Sequence, residues 1–167
     1  AFYSEVDEGA LEVMGVPLLR GRYISRQDTR EAAWVAVISR TLAERYFPGE
    51  DPIGRSVHGQ VFAPASGLSI PEERPREIVG VVGDMRFRGP RSQPQREIFL
   101  PHEPRAYLIL KVVIKSAGDP RALIPAVRAV LRDVDPQKPA HGISQLSELL
   151  GATYARDRQA MVMLLVF

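Results

Sequence analysis

Residues 76–87 constrain the fold of this chain more than any other stretch, because they hold β-branched side chains almost without interruption. The Ile and Val residues at 78–82 form an apolar run that is typical of a strand covered on both faces. Gly80 interrupts the run and predicts a β-bulge or a close approach of another backbone segment. Gly83 and Asp84 then indicate a turn or a bulge. We therefore expect the rest of the chain to pack around this strand.

Two glycine patterns resemble nucleotide-binding loops, but neither is placed between a strand and the N-terminus of a helix, as such a loop requires. Gly80-x-x-Gly83 precedes a polar segment, whereas a phosphate-binding loop needs a helix N-terminus behind it. Residues 49–56 match the spacing of a phosphate-binding loop with Arg in place of Lys. There Pro52 removes a backbone donor, two acidic residues lie where phosphates would sit, and a helix precedes the loop. The second pattern is more simply the end of a helix.

The remaining pattern predicts an α+β protein with a mixed β-sheet. Ser39 is a natural N-cap for a helix that ends before Pro48, and Asp119-Pro120 is a strong helix start. Pro125 predicts that this later helix is irregular in its first turn. We expect a surface loop at residues 63–75. We expect strands at 1–6, 34–38, 55–62, 76–87, 96–100, 107–115 and 140–143, and helices at 7–14, 39–47, 119–134 and from 145.

Composition excludes several kinds of site. The 167-residue chain has no cysteine, which rules out disulfides, thiolate metal sites and a cysteine nucleophile. A net charge of +2 does not demand a nucleic acid partner. The three histidines, His58, His102 and His141, show no metal-ligand spacing. We predict no catalytic, cofactor-binding or metal-binding residues.

One charged segment is a candidate partner-binding site. Arg86, Arg88, Arg91 and Arg96 follow one another without an intervening acidic residue, and an aromatic residue lies among them. Such a run suits a nucleic acid, a lipid headgroup or a partner protein. The alternative interpretation is a solvated strand end and loop, because acidic residues on either side dilute the field.

Several motifs in order resemble a known family. They are Val-Met-Gly-Val-Pro-Leu-Leu-Arg-Gly-Arg at 13–22, Tyr-Phe-Pro-Gly-Glu-Asp-Pro-Ile-Gly at 46–54, Ile-Val-Gly-Val-Val-Gly-Asp at 78–84 and Glu-Ile-Phe-Leu-Pro at 97–101. Together they resemble the MacB-like periplasmic core domain of FtsX-like ABC transporter permeases. The resemblance runs over nearly the whole chain, and the second and third motifs in this order are its most specific part.

The resemblance implies an extracytoplasmic domain of a permease in the bacterial inner membrane, on the periplasmic side. It implies a porter-like lobe of βαβ units at 1–21 and 78–153, incomplete at its N-terminus, and a smaller inserted α/β lobe at 22–77. Residues 154–167 would begin a truncated transmembrane helix. The family does no chemistry in this domain and needs no cofactor there, because a separate domain or subunit hydrolyses ATP.

The implied role is to couple the motion of membrane helices to substrate or partner proteins during export. The implied partners are the remainder of the permease and its ATPase subunit, with a periplasmic adaptor or a second permease copy as further candidates. Two alternatives stay open. One is an independent binding module that uses the Arg86–Arg96 region. The other is an enzyme whose site is assembled from scattered groups such as His58, Asp84 and His141.

Overall fold

The computed structural model describes residues 1–28, 34–58, 60–63, 68–71, 75–86, 92–102, 111–136 and 142–148. These residues form a mixed sheet with a few helices, which confirms the α+β prediction. The strands are β1 Phe2–Val6, β2 Leu18–Gly21, β3 Val35–Ser39, β4 Ser56–Val57, β5 Gln60–Ala63, β6 Leu68–Pro71, β7 Arg76–Val82 and β8 Glu97–Pro101. The helices are α1 Ala10–Val13, α2 Arg40–Tyr46 and α3 Ile124–Val134, the last preceded by a 3₁₀ turn at Pro120–Leu123.

The main sheet of the described residues has six strands, in the order β1-β8-β3-β7-β2, with β4 also paired to β7. β1 is parallel to β8 and β3 is parallel to β7, whereas the β3–β8, β2–β7 and β4–β7 pairs are antiparallel. The predicted central strand, β7, therefore has neighbours along both of its sides. β5 and β6 form a separate antiparallel pair.

Two apolar clusters lie on the sheet. One cluster contains Leu42 of α2 together with Ile38, Ile78 and Ile98, and the other contains Leu11 of α1 together with Phe99. Successive side chains of a strand point to opposite faces, so neighbouring residues of β3, β7 and β8 supply both clusters. This double cover explains why the central strands are continuous apolar runs in the sequence.

Gly80 confirms the prediction of a bulge or close backbone approach. The register between β3 and β7 shifts between Ala36 and Val37, and the register between β2 and β7 shifts nearby. A Cβ atom at Gly80 would lie 2.0 Å from the carbonyl oxygen of Arg22. Glycine is therefore required by space at this position, since the backbone of residue 22 occupies the place of a side chain.

Several local predictions need correction. The predicted loop at 63–75 contains a strand, because residues 68–71 pair with residues 60–63. Residues 111–116 form no strand, although the sequence pattern predicts one over residues 107–115. The predicted helix at 7–14 is shorter than expected: α1 spans Ala10–Val13 with Gly9 at its cap position, and the backbone carbonyl of Asp7 accepts the N–H of Ala10 at 3.1 Å.

The chain divides into two compact units, residues 1–87 with 92–113, and residues 88–91 with 114–167. In the second unit the Asp119 carboxylate accepts the Arg121 backbone N–H at 2.9 Å, as predicted for a helix start. Its first turn is 3₁₀, which confirms the predicted irregularity. The six-stranded sheet takes strands from both sides of the expected lobe boundaries at residues 21/22 and 77/78, and the division into lobes stays a prediction.

Within the described ranges, no helix combines the length and the apolar character needed to cross a bilayer. The predicted membrane segment at 154–167 lies outside those ranges.

Candidate functional site

The strand directions bring three polar residues to one end of the main sheet. Ser39 ends β3, Asp84 follows the end of β7, and Glu97 begins β8. β3 is parallel to β7 and antiparallel to β8, so all three residues lie at the same edge. We call Ser39, Asp84 and Glu97 the carboxylate edge. They are 13 or more positions apart in sequence, which is why sequence patterns alone did not connect them.

Asp84 fastens the first turn of α2 to the sheet. Its Oδ1 accepts the backbone N–H of Thr41 at 2.8 Å, and its Oδ2 accepts Nε of Arg40 at 3.2 Å. The Asp84 side chain is only 6% exposed, whereas that of Arg40 is 56% exposed. A carboxylate at a helix N-terminus satisfies a backbone donor and interacts favourably with the helix dipole. Asp84 is thus the capping group of α2.

Ser39 does not act as the predicted capping side chain. It occupies the cap position, but its hydroxyl makes no hydrogen bond to the helix. The Ser39 hydroxyl instead accepts the Glu97 backbone N–H at 3.0 Å and donates to the Gln95 carbonyl at 3.3 Å. It thereby joins the end of β3 to the start of β8, and this leaves the capping role to Asp84.

Glu97 is a carboxyl group inside the protein. The residue is 1% exposed, and its Oε2 has no hydrogen-bond partner in the described part of the chain. Burial, and to a lesser extent the negative charge of Asp84, raise the pKa of Glu97 to about 7. A carboxyl group in such surroundings is neutral below about pH 7, because burial and the nearby negative charge of Asp84 both disfavour ionisation.

The predicted arginine site is described in part. Arg86 and Arg96 are exposed and lie next to the carboxylate edge, whereas Arg88 and Arg91 lie outside the described residues. The structure adds Arg40, which sequence reasoning missed because it is distant from the others in the chain. We call Arg40, Arg86 and Arg96 the basic rim. The side chains of Asp84 and Glu97 are buried, whereas these three arginine residues are exposed.

The glycine-rich segment at 49–56 has the turn geometry of a loop whose donors are used internally. Gly49 and Gly54 have positive φ angles of 77°. The Gly54 N–H donates to the Ile78 carbonyl at 2.8 Å, and the Ile53 N–H donates to the Asp51 carboxylate at 3.1 Å. α2 ends at Tyr46, just before this loop, as the prediction of a helix stop requires.

The described residues include no group of three or more His, Cys, Asp or Glu side chains that could hold a metal ion. His58 follows β4, and Nδ1 of His102 lies 3.9 Å from the Glu5 carboxylate. His141 lies outside the described residues, so the hypothesis of a site made by His58, Asp84 and His141 is not tested.

Comparison with known proteins gives one coherent result. The model of the MacB-like periplasmic core domain matches residues 2–133. The macrolide export ATP-binding/permease protein MacB of Mannheimia succiniciproducens is 32% identical over 82 residues, which is 49% of this chain and 11% of that protein. The chain therefore spans about a tenth of that relative's length.

Solved structures resemble the fold at low sequence identity. The periplasmic region of MacB from Actinobacillus actinomycetemcomitans has a TM-score of 0.51 and 17% identity, covering 79% of this chain and 56% of that one. A domain of a permease protein from Porphyromonas gingivalis has a TM-score of 0.47 and 18% identity, covering 89% of this chain and 70% of that one.

Proposed function

This chain belongs to the family of MacB-like periplasmic core domains, and from that premise we propose that it couples the motion of membrane helices to substrate or partner proteins during export. The domain itself makes and breaks no bonds in this proposal. ATP hydrolysis takes place in a separate domain or subunit, and the domain lies on the periplasmic side of the inner membrane.

The observation that carries the proposal is the construction of the main sheet. Its central strands are covered on both faces, with Leu11 of α1 in one cluster and Leu42 of α2 in the other. Close-packed interiors deform little and pass displacement on as a body. A sheet fixed in this way transmits movement when the helices on which it is rooted move.

The partners follow from the same proposal. The remainder of the permease and its ATPase subunit supply the motion. A periplasmic adaptor or a second permease copy would receive it.

A labelling experiment on the intact permease tests the coupling. The chain has no cysteine, so Arg45→Cys on α2 gives this domain one labelling site. We expect energy transfer between a dye at this site and a labelled lipid headgroup to change between the ADP-bound and ATP-bound states. Energy transfer that is the same in both states would refute the proposal.

A second pair of labels checks that the domain moves as a body. Glu12→Cys on α1 and Arg45→Cys on α2 place spin labels on the two helices that supply the two apolar clusters. We expect the distance between them to stay the same in both nucleotide states. A change in this distance would mean that the layers of the sheet rearrange instead.

We propose a second candidate function, recognition of an anionic partner, on the basis of the basic rim. Arg40, Arg86 and Arg96 are exposed at one end of the sheet, and the carboxylates there are buried. Exposed guanidinium groups form paired hydrogen bonds with carboxylates and phosphates.

The matched control for this second candidate is Arg45, which is exposed on the same helix as Arg40. We expect Arg86→Glu with Arg96→Glu to abolish salt-dependent retention of the chain on vesicles that contain anionic lipid, and Arg45→Glu to leave it unchanged. Absence of retention of the unmodified chain at low salt would refute a lipid partner.

A further inference from the structure

The carboxylate edge contains a group that neither proposed function uses. Glu97 is 1% exposed and one of its oxygens has no partner among the described residues, an arrangement that proteins rarely keep. Its neighbour Asp84 holds the first turn of α2. Two carboxyl groups in a buried setting cannot both ionise without cost.

Among the described residues, no cation forms an ion pair with the Glu97 carboxyl group. On β3 the uncharged Ser39 hydroxyl accepts the Glu97 backbone N–H, and on β1 the register partner is Phe2. Arg40 of α2 is bound to Asp84. Arg96, which precedes Glu97, and Arg86, which follows Asp84 by two positions, are both exposed. Among the described residues, the charge that acts on the Glu97 carboxyl is therefore the negative charge of Asp84.

We propose that Glu97 and Asp84 form a proton-dependent latch: protonated Glu97 leaves Asp84 seated on the first turn of α2, and loss of the proton loosens that turn. The proton passes from the Glu97 carboxyl to solvent, and no covalent bond other than the O–H bond changes. Once ionised, Glu97 repels Asp84 and draws water towards the edge. When Asp84 separates from Thr41 it reaches solvent. This weakens its repulsion of Glu97 and opens a path for water to the ionised Glu97 carboxylate.

The consequence is that the attachment of α2, and with it the position of Arg40, depends on pH near neutrality. This device is independent of whether the domain relays motion. An extracytoplasmic domain meets the pH outside the cell, so such a latch would make the basic rim responsive to it.

Amide hydrogen exchange of the 167-residue chain tests the latch directly. We expect the protection factor of backbone amides at residues 41–46 to fall by more than about tenfold between about pH 5 and about pH 8. Glu97→Gln should hold it constant over this range, because the amide does not titrate. Glu12→Gln, on the exposed surface of α1, is the matched control and should behave as the unmodified chain does.

A second measurement needs no variant and therefore does not depend on the folding of Glu97→Gln. Carbon-13 NMR of the unmodified chain follows the titration of the Glu97 carboxyl group itself. A Glu97 that titrates below about pH 5, the range of ordinary glutamates, would overturn the latch. Equal protection of residues 41–46 at both pH values would also overturn it.

Discussion

The carbonyl oxygen of Arg22 lies where a side chain on Gly80 would have to begin, since a Cβ atom at Gly80 would be 2.0 Å from that oxygen. The neighbouring N–H of Arg22 donates to the Val79 carbonyl at 2.9 Å. The chain therefore stays paired with β7 beyond the end of β2, after the shift in the β2–β7 register between Leu18 and Arg20. The bulge that the sequence predicts at Gly80 is the place where this segment approaches the centre of the sheet.

Gly80→Ala should therefore destabilise the chain. The added methyl group meets backbone and cannot be accommodated by a side-chain rotation, so we expect a loss of about 2 to 4 kcal/mol in the free energy of unfolding. Urea denaturation followed by circular dichroism measures it. Gly118→Ala is the control, because a Cβ atom there has no neighbour within 4 Å. Equal stability of the two variants would contradict the close approach.

The titration of Glu97 makes a second prediction, on global stability. Its pKa is raised from 4.5 to about 7 in the folded state. A raised folded-state pKa means that the native state binds the proton more tightly, so the contribution of Glu97 to stability is greatest below about pH 4.5 and is lost as the pH rises to about 7. The predicted loss from this group is roughly 3 kcal/mol, because about 1.36 kcal/mol corresponds to one unit of pKa.

Urea denaturation at a series of pH values measures this loss. Glu97→Gln should remove the part of the pH dependence that lies between about pH 4.5 and about pH 7. A variant and an unmodified chain with parallel stability profiles across this range would count against a buried, unpaired Glu97.

The fold could be read from the sequence where local pattern and tertiary role agree. The apolar run of β7, the bulge at Gly80 and the irregular first turn of the helix that begins at Pro120 each have their own signal in the sequence, and the structure confirms them. The motifs shared with the MacB-like family predicted the rest of the α+β fold class. The sequence does not predict the strand at 68–71, because Pro71 and the nearby polar residues are typical of loops. The strand forms by pairing with residues 60–63, and that pairing leaves no signal in the local sequence.

The carboxylate edge could not be predicted because it depends on strand order. In sequence, Glu97 is an ordinary glutamate beside Arg96, and Asp84 is an ordinary turn residue. Only the parallel pairing of β3 with β7 and the antiparallel pairing of β3 with β8 bring them together. Similarly, Ser39 has the identity and place of a helix cap, and its hydroxyl is diverted by the neighbouring strand β8.

Asp84→Asn gives a third prediction, which separates the capping role from the charge. The amide retains an oxygen for Thr41 but loses the ion pair with Arg40, so we expect a modest loss of stability, about 1 kcal/mol at about pH 7. The same substitution removes a negative charge near Glu97 and should lower the pKa of Glu97. Carbon-13 NMR measures that pKa, and Asp7→Asn on the exposed surface is the control. An unchanged or raised pKa would contradict the coupling of the two carboxyl groups.

For Asp28 we predict the opposite pH dependence to that of Glu97, with stability lost at acidic pH. Its carboxylate accepts hydrogen bonds from Arg22 at 2.6 and 2.8 Å and from the Ser25 backbone at 2.8 Å, and its side chain is 5% exposed. The Arg22 guanidinium, followed by the bonds from Ser25, lowers the pKa of Asp28 below its usual 3.8 despite the opposing effect of burial. A lowered folded-state pKa stabilises the native state above about pH 4, and this stabilisation is lost as the pH falls through the lowered value.

Asp28→Asn should therefore be less stable than the unmodified chain at neutral pH, by about 1 to 3 kcal/mol, because Arg22 and the Ser25 N–H lose a charged acceptor. The difference should shrink as the pH falls below about 4, where the unmodified chain loses the same interaction by protonation. Urea denaturation at about pH 3 and about pH 7 measures both values. Asp51→Asn is the control, since the Asp51 carboxylate is 65% exposed and 3.7 Å from Arg20. A difference that stays constant down to about pH 3 would show that the Asp28→Asn variant loses stability through packing rather than through the charge of the carboxylate.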